Sequence, residues 1–126
     1  MPNMTTSSVV DQKDVQISPV LPTLFVVILR YVWSLDAVLA LRPKHVEFLN
    51  AHYADGTFIV SGPQVPRTGG VILARANSRA ELVAILANDP FHKEGAAEYQ
   101  VFEFMVNKVM DGFVECFSRD KKTERC

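Results

Sequence analysis

The stretch Leu24-Phe25-Val26-Val27-Ile28-Leu29 decides the fold, because it is apolar at every position. β-Branched and aromatic residues favour a strand. A strand that is apolar at both odd and even positions is typical of one covered on both faces. We therefore predict a central strand here, extending towards Trp33.

The elements on either side of this strand predict a ferredoxin-like α+β domain of order βαββαβ. Two helices would then lie on one face of a four-stranded antiparallel sheet. After a connector at 34–41, the predicted elements are a helix at 43–54, strands at 57–61 and 71–75, a helix from Ser78 to Asn88-Asp89, and a strand at 99–106.

Local signals set the predicted helix boundaries. Pro43 fits a first turn, where its missing N–H costs nothing, and Gly56 suits the left-handed position after a helix. Ser78 and Glu81 form a capping box. Pro90 disfavours helix at the residue before it, so the second helix should end there.

The sheet has more apolar faces than two helices can cover. Val26 and Ile28 lie opposite Phe25 and Val27 on the first strand, and the last strand is apolar on both sides. A bare apolar sheet face exceeds what monomers usually expose. A second copy is the simplest cover, so we predict a homodimer formed through the sheet faces.

Composition limits the partners. The 126 residues carry a formal net charge of −1, with no basic field for nucleic acid or an anionic membrane. Cys116 and Cys126 are a poor disulfide framework. No start of signal-peptide type and no apolar run of membrane-spanning length is present. We expect a cytoplasmic protein whose ligand is a small molecule.

The chain divides into three parts by composition. Residues 1–22 are rich in polar residues and proline and are expected to form a removable tail. Residues 23–117 would form the folded domain. Residues 118–126 are mostly charged and are expected to be a solvated tail.

Five segments in order, from Leu24 to Lys108, resemble the YCII-related (YciI-like) family of the dimeric α/β-barrel superfamily. They are Leu41-Arg42-Pro43-Lys44-His45, Ala54-Asp55-Gly56, Ser61-Gly62-Pro63, Gln64-Val65-Pro66-Arg67-Thr68-Gly69-Gly70-Val71 and Asn88-Asp89-Pro90-Phe91. The resemblance implies a ferredoxin-like subunit, sheet-to-sheet dimers and a pocket in which a His and an Asp act together.

His45 and Asp89 are the candidate catalytic residues. Helical spacing turns His45 towards the sheet, and a position in the first turn would favour a neutral ring. By itself this pattern also fits a buried histidine satisfied by a carbonyl, and Asp89 also fits ordinary turn chemistry. The resemblance favours a catalytic His45 oriented by Asp89, with Asp55 as the competing partner.

Candidate substrate-binding residues surround the second strand. Gly62 would let a ligand approach the backbone, and Ser61 could hold an oxyanion beside Pro63. Arg67 and Arg75 could bind a carboxylate. His45 and His52 are about 10.5 Å apart along a helix, so they cannot share a metal. No zinc, P-loop or dinucleotide pattern occurs, and we expect neither metal nor cofactor.

These observations lead to three hypotheses. The first is a cofactor-independent enzyme that isomerises a small oxygenated or aromatic substrate or eliminates a group from it, with His45 as acid/base. The second is a non-catalytic small-molecule-binding dimer that uses the same pocket. The third is a structural dimer in which His45 is only a core residue.

Overall fold

The computed structural model describes residues 23–113, of which residues 23–104 form one compact unit. Its sheet has the strand order β2-β3-β1-β4, and the predicted antiparallel ferredoxin-like α+β fold is confirmed. The elements are β1 (Thr23–Tyr31), α1 (Leu35–Ala54), β2 (Phe58–Pro63), β3 (Gly69–Ala74), α2 (Arg79–Leu86), α3 (Pro90–Lys93) and β4 (Ala97–Met105).

Helix α1 begins eight residues earlier than predicted, and Pro43 lies inside it. The Ser34 side chain caps the helix by accepting from the Ala37 N–H. Residues 35–42 are mostly Leu and Ala, which are strong helix formers, and Val38 is fully buried. Capping, propensity and burial together offset the one hydrogen bond that Pro43 cannot make. The predicted connector at 34–41 is therefore wrong.

The other boundaries shift less. The helix ends as predicted, at Asp55 with Gly56 in the left-handed region at φ 84°. Gly62 and Pro63 belong to β2 instead of terminating it. The Ser78 cap accepts from the Glu81 N–H as predicted, but the Glu81 carboxylate accepts from the Asn77 N–H, one residue earlier than in a standard capping box.

The core lies between the sheet and the helices. Strand β1 pairs with β3 so that Phe25 faces Ala74 and Val27 faces Ile72. These buried side chains pack in one cluster with residues of all three helices: Val38, Leu82, Leu86 and Phe91. Val26 and Ile28, at alternate positions of β1, are half-buried and face the other side of the sheet.

Candidate active site

A histidine and an aspartate meet in the protein interior. The Nδ1 atom of His45 lies 2.8 Å from Oδ1 and 3.0 Å from Oδ2 of Asp89. His45 comes from the middle of α1, so the expected first-turn position, with its helix-dipole effect, is wrong. Asp89 follows α2, and its side chain is fully buried. The expected proximity of the two residues is present.

Local structure fixes the Asp89 carboxylate. Asp89 is the N-cap of α3, where Oδ1 accepts from the Phe91 N–H at 3.0 Å, and Pro90 takes the first helical position. The Tyr99 hydroxyl on β4 donates to Oδ2. With the His45 contact, three groups from three elements satisfy this buried carboxylate, as burial of a charged group requires.

These contacts determine what the imidazole can do. When the ring is neutral, the carboxylate selects the tautomer in which Nδ1–H donates to Asp89, leaving the Nε2 lone pair as acceptor. Phe91 stacks on the ring, with centroids 4.0 Å apart and planes 9° apart. Nε2 makes no hydrogen bond within residues 23–113, so it is the atom that can exchange a proton with a bound molecule.

His45 lines a cavity of about 190 Å³ between α1, the β2–β3 hairpin and β1. This volume is below the ~300 Å³ at which pockets for drug-sized ligands begin, so it suits a small compound of about one ring. The other lining residues are Leu29, Tyr31, Arg42, Leu49, Ser61, Gly62, Pro63, Arg67, Gly70, Val71, Ile72 and Phe91.

Four of the predicted binding residues, Ser61, Gly62, Pro63 and Arg67, lie on this cavity wall, whereas Arg75 does not. The Ser61 hydroxyl is 2.5 Å from the Tyr53 hydroxyl, and within the described chain it contacts no base that could activate it as a nucleophile. A Cβ at Gly62 would have no atom within 4 Å, so the wall is open at this position.

The competing aspartate is engaged elsewhere. Asp55, at the end of α1, lies 3.0 Å from Nδ1 of His52 and accepts from the Thr57 N–H at 2.9 Å. Partial burial favours a higher pKa for Asp55, but the hydrogen bonds from Thr57 and His52 outweigh it and lower that pKa below its ordinary value. The partner of His45 is therefore Asp89.

Sequence reasoning missed three contributors to the site. From the sequence, Arg42 is only part of the motif at 41–45, Tyr31 carries no functional signal, and Tyr99 is only a strand residue. Side chains alternate between the two faces of a strand, and this alternation along β4 could have identified Tyr99 as a residue that faces the helices. Burial, and then the nearby Asp89 carboxylate, raise the pKa of its phenol far above the ordinary value, so Tyr99 remains a donor.

Residues 23–113 lack two features that would indicate other functions. No helix there is both long and apolar enough to cross a membrane. No three His, Cys, Asp or Glu side chains gather there as ligands for a metal ion. Cys116, Cys126 and the predicted tails at 1–22 and 118–126 lie outside the described residues.

The fold and the buried His–Asp pair beside a small cavity define a ferredoxin-like α+β domain with a candidate active site. The model of the YCII-related domain family matches residues 23–105, so the chain belongs to that family and the predicted membership is confirmed. Comparison with curated proteins gave no significant match.

A solved structure is similar in fold. It is the 5-chloro-2-hydroxyhydroquinone dehydrochlorinase TftG from Burkholderia phenoliruptrix AC1100, in complex with 2,5-dihydroxybenzoquinone. The two chains are 22% identical with a TM-score of 0.55, over 67% of this chain and 93% of the other.

Proposed function

We propose that the protein is a cofactor-independent acid–base enzyme that isomerises a small oxygenated or aromatic substrate or eliminates a group from it. The observation that carries the proposal is the contact between His45 Nδ1 and the buried Asp89 carboxylate at the wall of a cavity. The dehydrochlorinase activity of the similar structure, an elimination on a hydroquinone by its name, is consistent with this reaction class.

The residues suggest a simple proton cycle. His45 Nε2 takes a proton from a carbon or hydroxyl of the substrate, and the bonding pair moves into the substrate as an enolate or a new double bond. In an isomerisation Nε2 returns the proton to another atom of the substrate. In an elimination the leaving group departs with the electron pair of its own bond to carbon, and Nε2 then releases the proton to that group or to water. Asp89 stabilises the transient imidazolium and keeps the ring oriented.

A second histidine–aspartate pair on the same helix supplies matched controls for testing the dyad. His45→Gln should abolish turnover, and Asp89→Asn should lower kcat by ~10²–10⁴-fold, the usual contribution of general acid–base catalysis. The double variant should lose no more kcat than His45→Gln alone, because the two residues act as one unit. His52→Gln and Asp55→Asn remove the control pair and should leave kcat within about twofold, since neither residue lines the cavity.

Turnover would be followed on enolisable compounds and chlorinated hydroquinones, including 5-chloro-2-hydroxyhydroquinone. A non-catalytic binding module would bind members of the panel without turning any of them over. If His45→Gln kept full kcat on a turned-over substrate, the dyad would be wrong. If His45→Gln only lowered the stability of a protein that bound none of the panel, a structural role for His45 would replace the proposal.

We also propose that the protein acts as a homodimer joined through the open sheet face, which is the face opposite the helices. That face carries the alternate β1 residues Val26 and Ile28, with Val60 exposed on β2 and Phe102 and Phe104 exposed on β4. A concavity of about 500 Å³ also opens there, partly lined by Ile28 and Gln100, and could receive side chains of a second sheet.

A further inference from the structure

The charges on the cavity wall have one sign. Arg42 on α1 and Arg67 on the β2–β3 loop both line the cavity, and no aspartate or glutamate lines it. Asp89 lies behind the imidazole, where its three donors satisfy its charge. Within the described residues, neither Arg42 nor Arg67 forms an ion pair or a hydrogen bond.

This lack of pairing distinguishes the two arginines from others in the domain. Arg30 pairs with Glu98, the Arg75 Nε donates to the Gly56 carbonyl at 2.8 Å, and Arg79 donates to the Val101 carbonyl at 2.6 Å. Those three side chains have structural partners. Arg42 and Arg67 instead have side chains that are unpaired within the described chain, on the wall of the cavity that His45 also lines.

We propose that the molecule bound in this cavity is a small monoanion whose ionised acid group, a carboxylate or an acidic phenolate, is held by Arg42 and Arg67. This deepens the proposed function by naming its substrate class. A guanidinium presents planar, paired N–H donors that match the two oxygens of a carboxylate. Anchoring the acid group at the two arginines leaves the rest of the ring or chain to meet His45 Nε2.

The apolar part of the wall limits the remainder of the ligand. Leu29, Leu49 and Ile72 line the cavity with the Phe91 ring, so a flat apolar body fits beside them. The volume of about 190 Å³ leaves room for little beyond one substituted ring. A singly charged aromatic or short unsaturated acid satisfies both the charged and the apolar parts of the wall.

The test compares each anion with its neutral, nearly isosteric amide by isothermal titration calorimetry on the full chain. The pairs are benzoate with benzamide, salicylate with salicylamide, and crotonate with crotonamide. We expect at least one anion to bind about tenfold or more tightly than its amide, because charge-assisted hydrogen bonds exceed neutral ones. Its affinity should fall as sodium chloride is raised, since the arginines are solvent-exposed.

Charge-removing variants locate the anion. Arg42→Gln and Arg67→Gln should each weaken the preferred anion about tenfold and leave the amide unchanged. Lys44→Gln is the matched control: it removes the same charge two residues from Arg42, at an exposed position that does not line the cavity. It should change the anion's affinity less than twofold.

Equal affinity for every anion and its amide would overturn this proposal. So would an equal loss of anion affinity in Lys44→Gln and in the two arginine variants. Either result leaves the acid–base proposal standing, because neutral compounds can still be turned over by His45. Conversely, arginine-dependent anion binding without turnover of any panel compound would support the anion site and remove the proposed enzyme function.

Discussion

Tyr99 completes the set of donors around the Asp89 carboxylate. Its hydroxyl comes from β4, whereas the other two donors come from α1 and from the first turn of α3. Removing the hydroxyl leaves a fully buried carboxylate with one partner fewer. The energetic cost of such a loss is that of an unsatisfied buried group, ~1–3 kcal/mol.

We predict that Tyr99→Phe lowers the free energy of unfolding by ~1–3 kcal/mol near pH 8. The pKa of the Tyr99 phenol is raised in the folded protein by burial and by Asp89, so the folded state holds this proton more tightly than the unfolded state. The wild-type advantage is therefore complete below the ordinary tyrosine pKa of ~10 and decreases by up to ~1.4 kcal/mol per pH unit above it.

Urea denaturation of both proteins at pH 8, 10 and 11 measures this difference, and the other tyrosines cancel because both proteins contain them. A wild-type advantage that stays constant through pH 11 would show that the Tyr99 phenol is not protected by folding. An unchanged unfolding free energy at pH 8 would show that its hydrogen bond to Asp89 contributes nothing to stability.

At the scale of elements, the β1–β3 pairing depends on a close approach at Gly69. A Cβ at this residue would lie 1.8 Å from the Leu29 carbonyl oxygen, which is a backbone atom that cannot move aside alone. The same Cβ would lie 2.8 Å from the Gln64 side-chain oxygen. Any side chain at Gly69 must therefore force the two central strands apart.

We predict that Gly69→Ala lowers the free energy of unfolding by more than ~3 kcal/mol, or prevents folding, through overpacking against backbone. Gly62→Ala is the matched control on β2, where an added Cβ meets no atom within 4 Å. Its effect should stay within ~0.5 kcal/mol. Thermal and urea unfolding of both variants compare them, and equal stability would contradict the close approach.

The elements also show which features were predictable. The apolar stretch 24–29 of β1, the Ser78 cap and the Gly56 turn are local signals, and the sequence predicts each at its correct place. The start of α1 was missed because Pro43 is a strong local signal that Ser34 capping and Val38 burial overcome. Long-range packing is not visible in a short window of sequence.

The candidate site was predictable only through the family resemblance. Residue patterns leave His45 open between base and core residue, and both Asp89 and its competitor Asp55 also fit ordinary turn chemistry. The pairing depends on how far α1 extends and on the unpredicted helix α3, for which Asp89 is the cap. Alternation along β4 turns Tyr99 inward, but its contact with the Asp89 carboxylate, like the place of Arg42 on the cavity wall, depends on how the elements pack.

At the scale of the whole molecule, the open sheet face is the surface through which we expect two subunits to associate. The two faces of the sheet differ in burial: Val27 is buried beneath the helices, whereas Phe104 is 44% exposed on the open face. Val27→Asp should therefore unfold the subunit by burying a charge. Substitution of Phe104 should act on association instead.

We predict that the Phe102→Glu, Phe104→Glu double variant is a folded monomer of about 14.1 kDa, whereas the wild type is a dimer at micromolar concentration. The added charges would oppose burial of the face against a second sheet. Sedimentation equilibrium measures the mass, and circular dichroism verifies the fold.

Val83→Glu provides the control, since Val83 is 48% exposed on α2 rather than on the sheet. This variant should remain dimeric. A wild-type protein that sediments as a stable folded monomer would contradict association through the sheet. Dissociation by Val83→Glu would place the interface on the helices.

Asp89 has two roles: it caps α3, and it contacts His45, which it orients in the proposed proton transfer. Selection for stability alone would retain an aspartate here, even in a descendant whose chemistry had been lost. Retention of Asp89 among relatives is therefore poor evidence that they are enzymes. The residue at position 45 is the better indicator of the proposed activity. A relative with an aliphatic residue there and an intact Asp89–Pro90 turn is expected to keep the fold but to lack proton transfer.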